Sequence, residues 1–409
     1  MRELRARLAP LLALPLLVAC TSPQEGPRGG AAGGGAAGGA AGTTSGGAAP
    51  GVAGGGAGGG GGSGGAGGNA GSGGVHECAA PIPVGSDLGA LTVEAVATWK
   101  GDAKGAYTII HDDVCDYTID SLFDVAEPEL SARGLHSAFG AIVSRCEERQ
   151  LWSKLELMRQ HGHEIINHTW DHKDMVEDVQ ASVAVEIDQA TQVLDANLVG
   201  QQTSFFIFPY DSFNDAAVEH LGGLGYLGAR AGAKGVNAAD FPDGLRVMFD
   251  VYGGENSIYD GQGDILQIYV DLAISEGGWS VREFHGIADQ TFWAMDANAY
   301  KAHLDYVKAK VDSGELWVDT PSTIVRYRFA RQLCGLPAVM GSSLVPETPS
   351  ADCAKYATAV STIVTTAVDA PSLLANQDGK ELVTKRLGPH RYLVDLNPAG
   401  CPVGLGGGP

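Results

Sequence analysis

The chain has 409 residues and a formal charge of −21, from 48 acidic and 27 basic side chains. So acidic a surface repels nucleic acid and anionic lipid headgroups, which excludes both as partners and says little about a neutral glycan. Nearly half of its 59 glycines crowd into one early segment, so whole-chain composition misdescribes the part that folds.

Arg2, Arg5 and Arg7 precede an apolar run from Leu8 to Ala19, which has the length of a signal-peptide core and is too short to span a bilayer. The run ends Leu17-Val18-Ala19-Cys20, which is similar to the lipobox of bacterial lipoproteins. That resemblance implies a signal peptide over 1–19, cleavage before Cys20 and a lipid anchor on Cys20. The domain would then sit in the bacterial cell envelope, outside the cytoplasm. Thr21-Ser22 after the Cys, with no Asp, favours the outer membrane. Residues 20–75 form a tether; the Gly/Ala/Ser stretch from 25 to 75 has nothing to bury, and its root-mean-square reach is roughly 40 Å. It lacks the three-residue period of collagen. No later segment has the length of unbroken apolar sequence that a membrane span needs. The other cysteines are Cys78, Cys115, Cys146, Cys334, Cys353 and Cys401, an even number that allows three disulfides in an exported protein. Closing local loops favours Cys115 with Cys146 and Cys353 with Cys401.

From residue 76 to 335 short apolar strands alternate with helical stretches, the pattern of an α/β domain. Ala106–His111 reads as a buried strand ending at Asp112-Asp113, Leu151–Gln160 as an amphipathic helix and His163–Asn167 as the next strand. Met175–Leu198 has apolar residues at helical spacing and reads as one long helix. Ser204–Phe208 is a strand stopped by Pro209. Asp264–Tyr269, Trp279–His285 and Leu316–Val318 read as further strands. Asp112, Asp113, His168, Tyr210 and His285 all follow strand C-termini, the rim where a barrel of parallel strands assembles its active site. Residues 336–352 read as a connector. Residues 353–409 read as a small all-β domain, with β-branched runs at 358–368 and 391–396 and a hairpin signal at Asp378-Gly379 between them.

His168 and His172, four residues apart, would share one face of a helical turn and could share a metal ion. The carboxylate pair Asp112-Asp113 could add a third ligand and a general base.

These motifs together resemble the polysaccharide deacetylases, carbohydrate esterase family 4. His111-Asp112-Asp113 looks like the family's Asp-Asp motif, and His168-Thr169-Trp170-Asp171-His172 its His-Thr/Ser-x-x-His motif. Phe208-Pro209-Tyr210 and Glu283-Phe284-His285 are similar to its later motifs. The resemblance implies a deformed (β/α) barrel and a divalent metal, most often zinc, held by Asp113, His168 and His172. It implies Asp112 as the base, the Tyr210 main-chain N–H as an oxyanion donor and His285 as the acid that protonates the leaving amine. The substrate it implies is an N- or O-acetylated polysaccharide.

Three departures set the chain apart within that family. His111 stands where the family has an aromatic, and Val114-Cys115 replace a glycine after the Asp pair. Ile207-Phe208 occupy the place of an Arg that orients the catalytic Asp, and Arg230 is similar to an Arg that some branches use instead. Two rival readings are a glycan-binding surface lipoprotein without turnover, and a hydrolase of another non-peptide C–N bond.

Overall fold

The computed structural model describes Cys78, residues 84–253 and residues 257–409. The signal-peptide, Cys20 and tether expectations fall on residues 1–75 and lie outside the described residues.

Parallel strands buried on both faces require continuous apolar runs rather than alternation. The barrel strands meet that need: β2 (Gly105–Val114) is buried along nearly its whole length, and β3 (Ala138–Ala141) and β5 (Phe205–Ile207) along all of theirs. Before them in the chain comes β1 (Leu91–Val96), and around them stand β4 (Glu164–Asn167), β6 (Gly228–Arg230), β7 (Asp250–Val251), β8 (Trp279–Phe284) and β9 (Leu316–Val318). The sheet order is β6-β5-β4-β3-β2-β8-β7, with every pair parallel. β9 pairs with β2 at Gly105–Tyr107, on the edge that β3 takes over from Ile110 upward. The two ends of the order meet without a regular ladder: Gly232 N–H donates to the Val247 carbonyl at 3.0 Å and Gly235 N–H to that of Phe249 at 2.9 Å. This is the expected deformed (β/α) barrel.

The remaining strands form two antiparallel sheets. They are β10 (Ala338–Met340), β11 (Ser343–Val345), β12 (Val360–Thr366), β13 (Ser372–Gln377), β14 (Lys380–Glu381), β15 (Thr384–Gly388), β16 (Arg391–Leu396) and β17 (Val403–Gly408). One sheet runs β1-β12-β16-β15 and the other β10-β11-β17-β13-β14, around a shared core of Leu344, Val364, Tyr392, Val394, Val403 and Leu405. Asp378 and Gly379 both take positive φ, 54° and 75°, in the tight turn that pairs Gln377 with Lys380. The all-β unit draws in more chain than 353–409, because β12 needs a partner on its free edge and β1 supplies it, Leu91 opposite Thr366 through Val96 opposite Thr362.

Two element expectations are corrected. Asp264–Tyr269 opens a helix, Ile265–Glu276, not a strand. The Asp264 side chain caps it by accepting from Leu266 N–H, and Tyr269, Val270 and Ala273 form its buried face, so helical spacing prevails over β-branched composition. Met175–Leu198 is not one helix: helical structure begins at Ala184 and ends at Asn197. Asp174 and Asp178 bond the main chain just ahead of themselves, the turn chemistry that competes with helix, and Val179 is 98% exposed. The cysteines pair as Cys115–Cys146, Cys334–Cys353 and Cys78–Cys401. The first is as expected. Cys353 instead bonds Cys334 at the end of the preceding helix, and Cys401 bonds Cys78 at the far end of the folded chain.

The sandwich packs on the barrel end opposite the strand C-termini. Trp99 and Val360 share a buried cluster with Ala106, Trp279 and Tyr327, and Trp99 Nε1 donates to the Gly277 carbonyl just before β8. It therefore buttresses the base and contributes no lining to the cavity described next.

Candidate active site

A cavity of about 660 Å³ opens at the strand C-termini. Asp112, Asp113, His168, His172, Tyr210, Arg230 and His285 all line it, so the structure brings every site residue expected of the folded domain to one place. Twelve described non-glycine residues take positive φ, and five of them (Asp113, His172, Tyr210, Asp211 and Trp293) line this one cavity. Backbone strain is thus concentrated where side chains have to be aimed inward, as it is at functional sites generally.

Asp112 and Asp113 are adjacent residues near the end of β2 and face different partners. Asp113 receives two imidazoles, with its Oδ1 at 3.2 Å from His168 Nε2 and 3.1 Å from His172 Nε2. Neither contact has hydrogen-bond geometry, and Oδ1 is a buried polar atom without a hydrogen-bond partner among the described residues. His168 Nδ1 lies 3.1 Å from the Ile207 carbonyl, which can only accept, so Nδ1 carries the proton and Nε2 turns a lone pair into the site. Three lone-pair donors converging on one point, with two His and one carboxylate, fit a divalent cation that keeps positions open for substrate.

His168 and His172 do not lie on a helical turn. They sit in a loop after β4, with Thr169 and His172 at φ 68° and 59°, and their ring centroids are 4.8 Å apart. Gly140 on β3 makes room for this: a Cβ there would fall 2.2 Å from Ile207 Cδ1 and 3.3 Å from His168 Cβ.

Asp112 is gripped by a guanidinium fork, Arg230 Nη1 to Oδ1 at 2.9 Å and Nη2 to Oδ2 at 2.6 Å. Arg230 sits at the end of β6, so it reaches Asp112 across the barrel mouth rather than from the usual third motif. Burial pushes the Asp112 carboxyl up, and Arg230 with His168 overcomes it, leaving the group lowered and ionised at neutral pH. Asp112, Glu283 and His285 are a second group close enough to share a cation. The same guanidinium lies 3.2 Å from Glu283 and already supplies the positive charge there, so the metal fits the Asp113 group instead.

Reading the chain alone missed Glu283, Asp211, Phe292 and Trp293. Glu283 is buried, and burial raises its carboxyl well above the usual range against the opposing pull of Arg230. Its only sequence signal is its place two residues before His285. Asp211 is 3.1 Å from Arg230 Nη2. Tyr210 and Phe292 are 68% and 66% exposed at the cavity rim, Tyr210 against His172 and Phe292 against Trp293. His285 Nε2 lies 3.8 Å from Asp113 Oδ2, while its Nδ1 is buried without a hydrogen-bond partner among the described residues.

Residues 108–229 match the family model described as polysaccharide deacetylase. By that match this part of the chain is similar to the polysaccharide deacetylases. A chitin deacetylase from a Pestalotiopsis species is 26% identical over 216 residues, and the match covers 49% of this chain and 65% of that protein. Similar solved structures include a Mycobacterium smegmatis protein classed with the polysaccharide deacetylases (17% identity, 61% of this chain and 99% of that one, TM-score 0.43). A family 4 carbohydrate esterase from Streptomyces lividans in complex with acetate shares 16% identity over 53% of this chain and 92% of its own, with TM-score 0.35. The family match stops one residue short of Arg230, and Glu283 and His285 lie beyond it.

Proposed function

We propose that this protein is a metal-dependent hydrolase that removes acetyl groups from an N- or O-acetylated polysaccharide. The observation that carries it is the convergence of His168 and His172 on Asp113 beside an Asp112 already fixed by Arg230. A divalent cation held by those three residues, zinc by preference, would polarise a carbonyl and lower the pKa of water toward about 7.

The chain's own residues do the rest. Asp112, kept ionised and unable to rotate in its fork, takes the proton from the attacking water. The Tyr210 main-chain N–H donates to the oxygen that gains charge. His285 gives a proton to the departing nitrogen, because an amide nitrogen leaves poorly as an anion. Tyr210 and Phe292 offer the exposed aromatic faces on which sugar rings rest. Three disulfides accord with an exported domain, and the lipobox-like Cys20 with a lipid anchor in the envelope. Replacing Cys20 by Ala should move the protein from the membrane fraction to the soluble one; unchanged membrane association would overturn the anchor.

The test is acetate release by the full chain from a panel of acetylated glycans, with and without zinc, beside Asp112→Asn and His168→Ala. Zinc-dependent release lost in both variants is expected. Stoichiometric zinc with no release from any glycan overturns the deacetylase reading, and absence of bound zinc overturns the metal centre.

A further inference from the structure

His111 is fully buried one residue before Asp112, at the position where the motif it resembles has an aromatic. Its ring keeps the packing of an aromatic: it stacks on Phe139 at 5.4 Å and 14° and on Phe284 at 5.5 Å and 28°. A phenyl ring could do as much. What the imidazole adds is two polar contacts in fixed directions. Nδ1 lies 3.0 Å from the main-chain carbonyl of His285, and Nε2 lies 2.9 Å from the Tyr300 hydroxyl. A carbonyl only accepts, so Nδ1 carries the proton, and Nε2 then accepts from the Tyr300 O–H. Both nitrogens are used by a single tautomer.

The place of this contact matters. The register of β2 with β8 ends at His111 opposite Phe284, so His285 is the first residue beyond the ladder. Its carbonyl is taken by a side chain where the next backbone partner would have been. The His285 ring, meanwhile, makes no hydrogen bond to a carboxylate among the described residues: Nδ1 has no partner, and Asp113 and Glu283 lie 3.8 and 4.0 Å from Nε2. Phe292 and Trp293 meet it edge-on, centroids at 6.2 and 5.9 Å, limiting its swing without setting its height above the sheet. That height is set from the main chain.

We propose that His111 is a positioning residue for His285, its Nδ1–H holding the His285 carbonyl and thereby placing the imidazole that protonates the leaving nitrogen. The proposal rests on the deacetylase reading. It explains why this chain departs from an aromatic here without losing aromatic packing.

The test uses the full chain, zinc-loaded, as wild type, His111→Phe and His111→Asn. Each is assayed on an N-acetylated glucosamine oligomer, whose amine must be protonated to leave, and on 4-nitrophenyl acetate, whose phenolate leaves unaided. In His111→Phe the ratio of amide to ester kcat should fall about 10- to 100-fold, with zinc stoichiometry by calorimetry unchanged. His111→Asn, whose side-chain N–H₂ can reach the same carbonyl, should recover part of that ratio. A ratio unchanged in His111→Phe, or equal losses on both substrates, overturns the positioning role. A wild type that cleaves neither substrate overturns the deacetylase reading itself. In that case imidazole ¹⁵N NMR still decides the contact: a proton on Nδ1 of His111 supports it, and one on Nε2 refutes it.

Discussion

At the scale of single residues, the site depends on two neighbouring carboxylates being given opposite environments. Asp113 meets lone pairs and Asp112 meets a cation, so one can ligate while the other stays free to take a proton. Sequence adjacency could not show this, because Arg230 comes from a different strand and is joined to Asp112 only by barrel closure. Replacing Arg230 by Met removes the fork while keeping much of the volume. Acetate release should then fall about 100-fold, within the range a positioned base contributes, while zinc still binds with one-to-one stoichiometry. Loss of zinc binding in calorimetry would mean that Arg230 supports the whole rim instead. His168 and His172 were legible as a pair, though not as a helix: their approach depends on left-handed turns at Thr169 and His172 and on Gly140 beneath.

At the scale of elements, the loops that carry Asp113 and the two imidazoles are tied to one another. Cys115, two residues after Asp113, bonds Cys146 on the helix Val143–Glu148. The start of that helix donates to the ligand loop, Val143 N–H to the Thr169 carbonyl at 3.1 Å and Ser144 N–H to that of Trp170 at 3.0 Å. The disulfide thus substitutes a covalent tie for the glycine turn that the motif lacks. Removing it as Cys115→Ala with Cys146→Ala should cost up to about 4 kcal/mol by the loop-entropy relation. It should also weaken zinc binding about 10-fold, read by denaturant titration and calorimetry; a stability loss with zinc affinity intact would confine the bond to the fold. The two misread segments share one cause. Asp264 and Asp174 both bond main-chain N–H groups, but only Asp264 is followed by an apolar face that the barrel buries, and burial decides which Asp starts a helix.

At the scale of the whole molecule, the sandwich and the barrel share buried apolar surface at the end away from the site, and Cys78–Cys401 fastens the two ends of the folded chain together. The fold also buries histidines in neutral form: burial pushes His163 down to about 4 and His303 to about 3. Both would titrate near 6.5 when unfolded, so below that pH the unfolded chain binds protons that the folded one refuses. Stability is therefore full above about pH 6.5 and should fall as pH drops toward 4, at up to ~2.7 kcal/mol per pH unit for the two groups. Urea titrations at pH 7, 6 and 5 check this, and a midpoint that does not move across that range would show that other groups compensate.

By itself the sequence determined an α/β domain, through short apolar strands alternating with helical stretches, and its resemblance to a family implied the barrel. It also pointed to residues that the fold gathers around one cavity, through an Asp pair and a spaced His pair at strand ends. The tertiary structure alone decided the Arg230 fork, the burial of Glu283 beside it, the His111 contact to His285, the place of β1 in the sandwich and two of the three disulfides. Each joins residues far apart in the chain, and periodicity or local propensity carries no trace of a partner that arrives only when the barrel closes.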